Sequence, residues 1–375
     1  MKYIFLFLIL VPCAISFAEQ KRYGGLGDIL DQLIDSTQIS PNPRPAKKIR
    51  SEQLYKIAEL SADIPKVDFS LLPKRSLLGL KNFGNTCYLN SLTILIANTK
   101  ISNLLSVHSK IDLQKPEKQL RNNLRLKAYM TALISGMKQH VYSGHNKRTK
   151  AYVELIQKVL GDKLEGSVHI QHDPAELYSH ILDLLDSDKN KQEMLMGEMI
   201  KKDGIDEITY YKRSQKVLHV PLGGGKKLQK LINKVFLPEV TEAELDGKKV
   251  VYRKSTGIIK SPSTLVIQLG RFAGAWGEQK LHSRVHIPTN ITIDLHKGSQ
   301  EKLNDKNIVK VKYKLKTIIS HLGESKEFGH YIAHTFHDNK QGLRIVEYDD
   351  DNISEKTKDE IKNISKTGYI IAYER

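Results

Sequence analysis

Cysteine is almost absent from this 375-residue chain, which contains two, Cys13 and Cys87. Cys13 lies in an apolar leader, so a single thiol is expected in the mature protein. One thiol can neither close an internal disulfide nor supply the ligand set of a cysteine-bound zinc ion. This scarcity argues against a disulfide-stapled domain and indicates that Cys87 is kept for its reactivity.

The leader is residues 1–18, where Lys2 precedes an apolar run that ends in Ser16-Phe17-Ala18. This order is typical of a secretory signal peptide, and we expect cleavage after Ala18. An uncleaved membrane anchor is the alternative, but the run is shorter than the roughly 20 residues that a spanning helix needs. We therefore expect no stable membrane span after cleavage.

Positive charge is in excess, with a formal net charge of +17, but it is dispersed. Lysine pairs such as Lys201-Lys202, Lys226-Lys227 and Lys248-Lys249 are scattered through the chain. A nucleic-acid binder more often gathers its charge in one patch with aromatic residues interleaved. We expect no nucleic-acid partner, while attraction to an anionic membrane or an acidic protein surface stays open.

After the leader, residues 19–76 are expected to form an N-terminal extension, partly disordered with short helices. Prolines interrupt it at Pro41-Asn-Pro-Arg-Pro45, and residues 29–34 and 52–60 have amphipathic spacing. Residues 77–375 are expected to form the folded, catalytic domain.

Apolar periodicity in that domain predicts helices first and strands later. The predicted helices are Tyr88–Ala97, Gln119–Ser135, Lys150–Leu160 and Pro174–Leu185. The predicted strands are Val217–Val220, Val250–Tyr252, Thr264–Gln268, Val285–Ile287, Val309–Ile319, Tyr331–Phe336, Arg344–Tyr348 and Tyr369–Tyr373. This order favours an α+β fold over a doubly wound sheet.

Cys87 lies between a predicted turn at residues 84–86 and the helix that follows. The helix dipole at that position favours a negative charge, as on a thiolate. The side-chain amide of Asn82 and the backbone N–H of Cys87 could both donate to an oxyanion. From this segment alone, a buried structural cysteine is an equally good interpretation.

A thiolate also needs a proton acceptor, and His330 is the candidate among fourteen histidines. It follows Gly329 at the start of an apolar strand, and residues 322–328 are predicted to join that strand to the preceding one as a hairpin. Asp349 ends the next strand and could orient His330 from an adjacent antiparallel position. An ordinary acidic turn at residues 349–351 is the alternative. His140, His145, His172, His180 and His337 are expected to be surface or structural residues.

Together these segments resemble the ubiquitin-specific protease family of cysteine deubiquitinases. Residues 79–91 are similar to the family's cysteine box, and residues 171–177 to the box that follows it. Other landmarks occur in the family's order at Leu265–Phe272, His321–Gly323, Gly329–Tyr331, Tyr348–Asp350 and Gly368–Arg375. The similarity covers about residues 77–375.

The resemblance implies a papain-like fold with thumb, palm and fingers, the fingers spanning about residues 209–265. It implies hydrolysis of the isopeptide bond after the C-terminal glycine of ubiquitin, through a thioester on Cys87. His330 would act as base and then as acid, and Asp349 would orient it. Asn82 would stabilise the oxyanion, and Asp350 would assist or partly replace Asp349. No cofactor is implied.

The resemblance also assigns residues to substrate binding. Asp173 and Glu176 would meet the basic tail of ubiquitin. Gly329 and Tyr331 would line the narrow channel for its terminal glycines, next to the His321 landmark.

The sequence departs from the family pattern at several positions. Residues 250–256 contain no cysteine where many members carry paired CxxC motifs, so no zinc is expected. Ile345 stands where tryptophan is common, which is a packing change. Ala175 and Leu177 replace bulkier residues, and this leaves a ubiquitin-like modifier open as the target.

Two rival functions are weighed against the deubiquitinase. One is a non-catalytic ubiquitin-binding pseudoenzyme, and the other is a general papain-type endopeptidase. A signal peptide conflicts with the cytosolic and nuclear location of ubiquitin conjugates, and sequons at Asn290, Asn352 and Asn363 would invite glycans in an endoplasmic reticulum. These features favour a secreted bacterial effector that is delivered into a eukaryotic host cell and acts on ubiquitin or ubiquitinated host proteins.

Overall fold

The computed structural model describes residues 77–106, 117–140, 147–161, 170–185, 192–202, 208–245, 248–274, 279–297, 307–326, 328–339 and 342–375. The predicted signal peptide and extension lie outside these ranges. Within them, no helix combines the length and apolar character needed to cross a bilayer.

Helices make up most of the first half of the described domain, and two short helices lie among the later strands. They are α1 (Cys87–Ala97), α2 (Asn103–Ser106), α3 (Glu117–Gln139), α4 (Lys147–Leu160), α5 (Pro174–Leu185), α6 (Leu228–Val235) and α7 (Ile364–Thr367), with 3-10 turns at Lys100–Ser102 and Glu360–Asn363. The four predicted helices are confirmed as α1, α3, α4 and α5, while the short α6 and α7 were not predicted.

Strands make up most of the second half. They are β1 (Met194–Lys202), β2 (Ile208–Gln215), β3 (Val217–Pro221), β4 (Glu239–Leu245), β5 (Lys248–Lys260), β6 (Thr264–Gly270), β7 (Phe272–Ala273), β8 (Gln279–Lys280), β9 (Asn290–His296), β10 (Ile308–Leu322), β11 (His330–Asn339), β12 (Gly342–Asp349), β13 (Asn352–Lys356) and β14 (Gly368–Glu374). Twelve of these strands join one mixed sheet, in which β13, β12, β11, β10 and β9 are successive neighbours. This arrangement confirms the expected α+β class.

Two antiparallel pairings bring the predicted base and its carboxylate together. Leu322 of β10 pairs with His330 of β11, which confirms the predicted hairpin. Strand β11 then pairs with β12 in the register Ala333–Tyr348, so the first residue of β11 and the last residue of β12 lie at the same end of the sheet. That end faces the start of α1.

The sheet is covered on both faces, and this explains its continuous apolar strands. In β14, Ile370 and Ala372 pack with Leu89 and other residues of the helices, whereas Ile371 and Tyr373 pack into a second cluster on the opposite face. A strand buried on both faces is expected to read as an unbroken apolar run.

One predicted strand is wrong. Residues 285–287 form only an isolated bridge between His286 and Lys227. The backbone N–H of Val285 donates to Ser365, and that of His286 donates to Lys226. Because successive residues pair with different segments, no continuous ladder forms.

An extended antiparallel arm is built from β4, β5, β1 and β2. The predicted fingers, at about residues 209–265, do not include its strand β1. Strand β1 has a weakly alternating sequence, Met194-Leu-Met-Gly-Glu-Met-Ile-Lys-Lys202. It pairs on both sides with strands that lie later in the chain, β2 and β5.

Strands β11, β12 and β13 are tied together by a carboxylate. Glu347 accepts from His334 Nε2 at 2.9 Å and pairs with Lys356 Nζ at 3.1 Å. The hydrogen bond with His334, aided by Lys356, lowers the pKa of Glu347 to about 2. A lowered carboxyl pKa stabilises the fold above the unfolded-state value, near 4.3, and this contribution is lost as pH falls toward 2.

We therefore expect Glu347→Gln to lower the free energy of unfolding by about 1 to 3 kcal/mol at pH 7. The difference should shrink as pH falls from about 5 to 2, measured by urea denaturation at a series of pH values. Glu355→Gln, which removes a more exposed partner of Arg344, is the control and should cost less than about 1 kcal/mol. An equal loss from Glu347→Gln at pH 3 and pH 7 would contradict the electrostatic origin.

Candidate active site

The turn before α1 is shaped by Asn82. Its Oδ1 accepts from the backbone N–H groups of Gly84 and Thr86, each at 3.1 Å. Gly84 and Asn85 have φ angles of 105° and 52°, a left-handed backbone that glycine and asparagine adopt at low cost. The turn redirects the chain so that α1 begins at Cys87.

Cys87 therefore lies at the N-terminus of a buried helix, as the sequence predicts. The residue is 3% exposed. The positive end of the helix dipole favours negative charge on its sulfur.

His330 links Cys87 to Asp349. Its Nε2 lies 2.6 Å from Asp349 Oδ1. The hydrogen bond with Cys87, followed by that with Asp349, raises the pKa of His330 to about 9 against the opposing effect of burial. Because Nε2 is engaged by Asp349, Nδ1 is the ring nitrogen that remains for the thiol. His330 is thus a cation at neutral pH, and it stabilises negative charge on the neighbouring sulfur.

This arrangement predicts that Cys87→Ala will lower the pKa of His330 from about 9 toward its ordinary range near 6.5. The reason is that the variant removes the largest cause of the increase. Histidine NMR titration of ¹⁵N-labelled protein measures the change, and His296, on the distant strand β9, serves as the internal control. A His330 pKa that stays near 9 in the variant would mean that Asp349 and Asp350 alone hold the proton.

Asp350 occupies a different position from Asp349 although the two are adjacent. Its φ of 54° turns the chain at the end of β12, and its carboxylate accepts from Asn90 Nδ2 at 2.8 Å and from Asn82 Nδ2 at 3.1 Å. Its Oδ2 lies 3.9 Å from His330 Nε2. Burial raises the pKa of Asp350, and the two asparagine amides oppose that increase. By these distances Asp349 is the partner of His330. Asp350 instead acts as a brace that joins the end of β12 to the segment that carries Cys87.

The same brace includes backbone contacts. The N–H of Leu80 donates to the carbonyl of Asp350 at 3.1 Å. A Cβ atom on Gly79 would lie 2.5 Å from that carbonyl oxygen, so only glycine allows this approach. Asn90 was not singled out from the sequence, and the available signal was a polar side chain on the core-facing surface of an apolar helix.

Asn82 uses one amide hydrogen to bind Asp350. Its other amide hydrogen has no acceptor among the described residues. The predicted role of Asn82 at an oxyanion is compatible with this geometry and stays a prediction.

Among the described residues, His330, Asp349 and Asp350 also form the one cluster whose ligand atoms are close enough to hold a metal ion. These atoms are already engaged with one another, with Cys87 and with two asparagine amides. The set has the makeup of an acid–base unit that acts on the thiol.

The two predicted tail-binding carboxylates differ in exposure. Asp173 is buried, accepts from the backbone N–H of Ala175 at 2.8 Å and from the Tyr369 hydroxyl at 2.6 Å, and pairs with Lys326 at 3.5 Å. Glu176 is exposed on α5. Lys326 was not anticipated, and it neutralises Asp173 from the loop between β10 and β11.

His321 is fully buried between the rings of Phe272 and Tyr331, at centroid distances of 5.1 and 4.8 Å. Neither of its ring nitrogens has a hydrogen-bond partner in the described structure. Burial, followed by the charge of Lys280, lowers the pKa of His321 to about 4, so the ring is neutral at pH 7. His321 therefore acts here as a flat packing surface.

The loop after β10 lies directly on this ring. A Cβ atom on Gly329 would come within 2.3 Å of His321 Nε2. Lys280 fixes the other side of the loop by donating to the carbonyls of His321 and Gly323. His321, Gly329 and Tyr331 are thus brought together beside His330, and their contacts with substrate stay predictions.

Comparisons with known proteins agree with this geometry. The sequence profile of the family described as ubiquitin carboxyl-terminal hydrolase matches residues 78–373. The chain is 28% identical to chicken (Gallus gallus) ubiquitin carboxyl-terminal hydrolase 37 over 197 residues. The aligned stretch covers 47% of this chain and 18% of that protein. It is 25% identical over 283 residues to mouse (Mus musculus) Ubl carboxyl-terminal hydrolase 18, covering 69% of this chain and 73% of that protein. It is also 25% identical over 334 residues to Arabidopsis thaliana ubiquitin carboxyl-terminal hydrolase 25, and the aligned stretch covers 80% of this chain and 47% of that protein.

Among solved structures, the SAGA Ubp8/Sgf11/Sus1/Sgf73 DUB module bound to ubiquitin aldehyde has a similar fold. The TM-score is 0.61 at 21% identity, over 87% of this chain and 76% of that chain. This likeness confirms the papain-like thumb, palm and fingers architecture that the resemblance implies. Since the family profile also runs from the segment before Cys87 to the last strand of the sheet, the chain belongs to the ubiquitin carboxyl-terminal hydrolase family.

Proposed function

We propose that this protein is a thiol-dependent deubiquitinase that hydrolyses the isopeptide bond after the C-terminal glycine of ubiquitin. The observation that carries the proposal is the placement of His330 between Cys87 and Asp349, with Nε2 2.6 Å from the carboxylate. A nucleophile, a base and an orienting group in this order are the requirement for covalent acyl transfer.

In the acylation step, the Cys87 thiolate attacks the carbonyl carbon of the terminal glycine. The resulting oxyanion would accept from the backbone N–H of Cys87 and from the amide of Asn82. When the tetrahedral intermediate collapses, His330 gives its proton to the lysine amine, which leaves. Ubiquitin is then held as a thioester on Cys87.

In the deacylation step, the now neutral His330 takes a proton from water as the water attacks the thioester carbonyl. Ubiquitin leaves with a free C-terminal carboxylate, and the proton restores the imidazolium beside the Cys87 thiolate. Asp349 holds the ring in one orientation through both steps.

The proposed substrate path follows the clustered residues next to His330. The extended arm of β1, β2, β4 and β5 would contact the body of ubiquitin. Its tail would pass Asp173 and Glu176, and its small terminal residues would pass the surface made by His321, Gly329 and Tyr331.

The first test is labelling by a ubiquitin probe that carries a C-terminal electrophile, read as a mass increase. We expect a stoichiometric adduct that is absent from Cys87→Ala and slowed by about 10²- to 10⁴-fold in His330→Ala. His296→Ala, a histidine outside the site, should label like the unaltered protein. Failure of folded protein to label would contradict ubiquitin recognition or nucleophile competence, and alkylation of Cys87 by iodoacetamide separates these two causes.

A ubiquitin-like modifier is the second candidate substrate. It is supported by the similarity to mouse Ubl carboxyl-terminal hydrolase 18, which aligns over 69% of this chain. A parallel set of probes built on ubiquitin-like modifiers decides the question, because the preferred modifier should label at the highest second-order rate.

Two remaining rivals make different predictions. A pseudoenzyme would bind ubiquitin without forming a Cys87 adduct. A general endopeptidase would cleave denatured casein at a rate comparable with a ubiquitin conjugate, whereas a deubiquitinase should leave casein intact.

We further propose that the protein is secreted through a signal peptide of residues 1–18 and acts inside a eukaryotic host cell. The support is the leader composition, and the protein recovered from the medium should begin at Glu19. Recovery of the uncleaved chain from the producer's cytosol would contradict this route.

A further inference from the structure

The sheet formed by β10, β11 and β12 has a cavity on the face opposite Cys87. Its volume is about 760 Å³, and its floor is formed by Ile318 of β10, Phe336 of β11 and Ile345 of β12. Ile364 of α7 forms part of its roof. Cys87 packs in the cluster on the helical face of the sheet, whereas these four residues belong to the cluster on the other face. The volume falls in the range of about 300 to 1,000 Å³ that is typical of small-molecule sites.

The floor of the cavity is apolar, while His286, Thr289, Asn363 and Ser365 add polar groups to the rest of its lining. Ile318, Ile345 and Ile364 are 2%, 2% and 7% exposed, and Phe336 is 5% exposed. These side chains contribute no hydrogen-bonding group, so the part of the cavity that they line favours a hydrocarbon over water or a polar ligand.

The mouth of the cavity is cationic. Arg284, Lys358 and Lys362 line it, and no carboxylate side chain contributes to the lining. Lys362 is neutralised by Asp359 at 3.1 Å. Arg284 and Lys358 are exposed and make no ion pair within the described ranges. Two uncompensated cations at the mouth of an apolar cavity complement an anionic group at one end of a hydrocarbon chain.

We propose that this cavity binds a single-chain fatty acid, with the acyl chain among Ile318, Phe336 and Ile345 and the carboxylate between Arg284 and Lys358. An acyl carboxylate satisfies both halves of the site. Each methylene that enters the interior is removed from water, and the charged head stays at the solvated mouth next to its counter-charges. This inference does not depend on the proposed hydrolase activity.

The test is titration of the full-length protein with laurate below its micellar concentration, followed by NMR of ¹³C-labelled isoleucine methyl groups. We expect saturable shifts at Ile318, Ile345 and Ile364. Decanoate, which has two fewer methylenes, should bind about tenfold more weakly. Dodecanol and dodecyltrimethylammonium, which lack the negative head, should also bind at least several-fold more weakly. Unmoved cavity methyl groups would overturn the proposal, whether the cavity is closed in solution or covered by another part of the chain.

Two kinds of variant separate the interior from the mouth. Ile345→Trp fills the cavity and should abolish the laurate shifts. Arg284→Glu combined with Lys358→Glu should weaken the binding of laurate by about tenfold or more and leave the binding of dodecanol unchanged. Lys310→Glu changes the charge at an exposed position on β10 that does not line the cavity, and it should have no effect. If Ile345→Trp fails to fold, the double variant of Arg284 and Lys358 still tests the proposal. An equal loss of laurate affinity in the double variant and in Lys310→Glu would overturn the proposed head-group site. The rate of labelling by the ubiquitin probe should be the same in all folded variants.

Discussion

Replacing Asp349 with alanine is expected to lower kcat by about 10²- to 10⁴-fold on a ubiquitin substrate with a C-terminal fluorogenic amide. KM should change little, because Asp349 contacts His330 and not the proposed path of the ubiquitin tail. The cause is the loss of the 2.6 Å contact that holds the imidazole in one orientation. Steady-state hydrolysis of the fluorogenic substrate measures the effect.

Asp350→Ala is the matched comparison, since it removes the same group one residue later. Here the expected effect is on stability first, with a loss of about 1 to 3 kcal/mol, because Asn90 Nδ2 loses its charged acceptor and keeps only the backbone carbonyls of Leu80 and Lys81. A smaller loss of kcat should accompany it, because the Asn82 amide loses its hydrogen bond to Asp350.

The pH dependence separates the two carboxylates further. Asp349→Ala removes a hydrogen bond that raises the pKa of His330, so the alkaline limit of activity, expected near pH 9, should move to lower pH. Asp350→Ala removes a weaker electrostatic contribution to the pKa of His330 and should move the alkaline limit of activity less. If Asp350→Ala, still folded, lowers kcat more than Asp349→Ala does, the ranking of the two carboxylates by distance is wrong.

The contrast between these neighbours shows what could be predicted from the sequence. The helix at Cys87, the strand that begins beside His330 and the strand that ends at Asp349 were predicted, because each has a strong local apolar period and the connection between β10 and β11 is short. Proximity of His330 and Asp349 then follows from antiparallel pairing. The division of roles between Asp349 and Asp350 does not, because it depends on the left-handed backbone at Asp350 and on a contact with Asn90 across 260 residues.

Two errors of the sequence-based prediction, the missed strand β2 and the wrongly predicted strand at residues 285–287, share a different cause. Strand β2, Ile208-Thr-Tyr-Tyr-Lys-Arg-Ser-Gln215, is almost wholly exposed, so no apolar alternation marks it. Residues 285–287 have the apolar spacing of a strand, yet their backbone partners come from two separate segments. In both cases pairing is decided by segments distant in sequence, which local patterns do not encode.

A third feature beyond the sequence is the environment of Arg271. The side chain is fully buried, and its donors reach only backbone carbonyls: Nη1 donates to Leu281 and Ser283 at 3.1 Å each, Nη2 to Ser365 at 2.9 Å, and Nε to Gly368. Burial lowers its pKa to about 10, so it is still charged at neutral pH. One guanidinium thus joins the segment after β8 to the start of β14.

Arg271→Met is therefore expected to lower the free energy of unfolding by about 3 to 5 kcal/mol, the scale of a broken buried hydrogen-bond network. Methionine keeps much of the apolar stem but removes the guanidinium donor from four carbonyl oxygens, of which that of Ser365 keeps the N–H of Val285. Arg271→Lys should recover only part of the loss, because an ammonium group cannot reproduce the planar fork that serves carbonyls in three directions. Urea denaturation followed by circular dichroism measures both variants, and Arg284→Met, at an exposed arginine, should change stability by less than about 0.5 kcal/mol. A loss below about 1 kcal/mol for Arg271→Met would mean that the carbonyls find water or that the segments hold without the guanidinium.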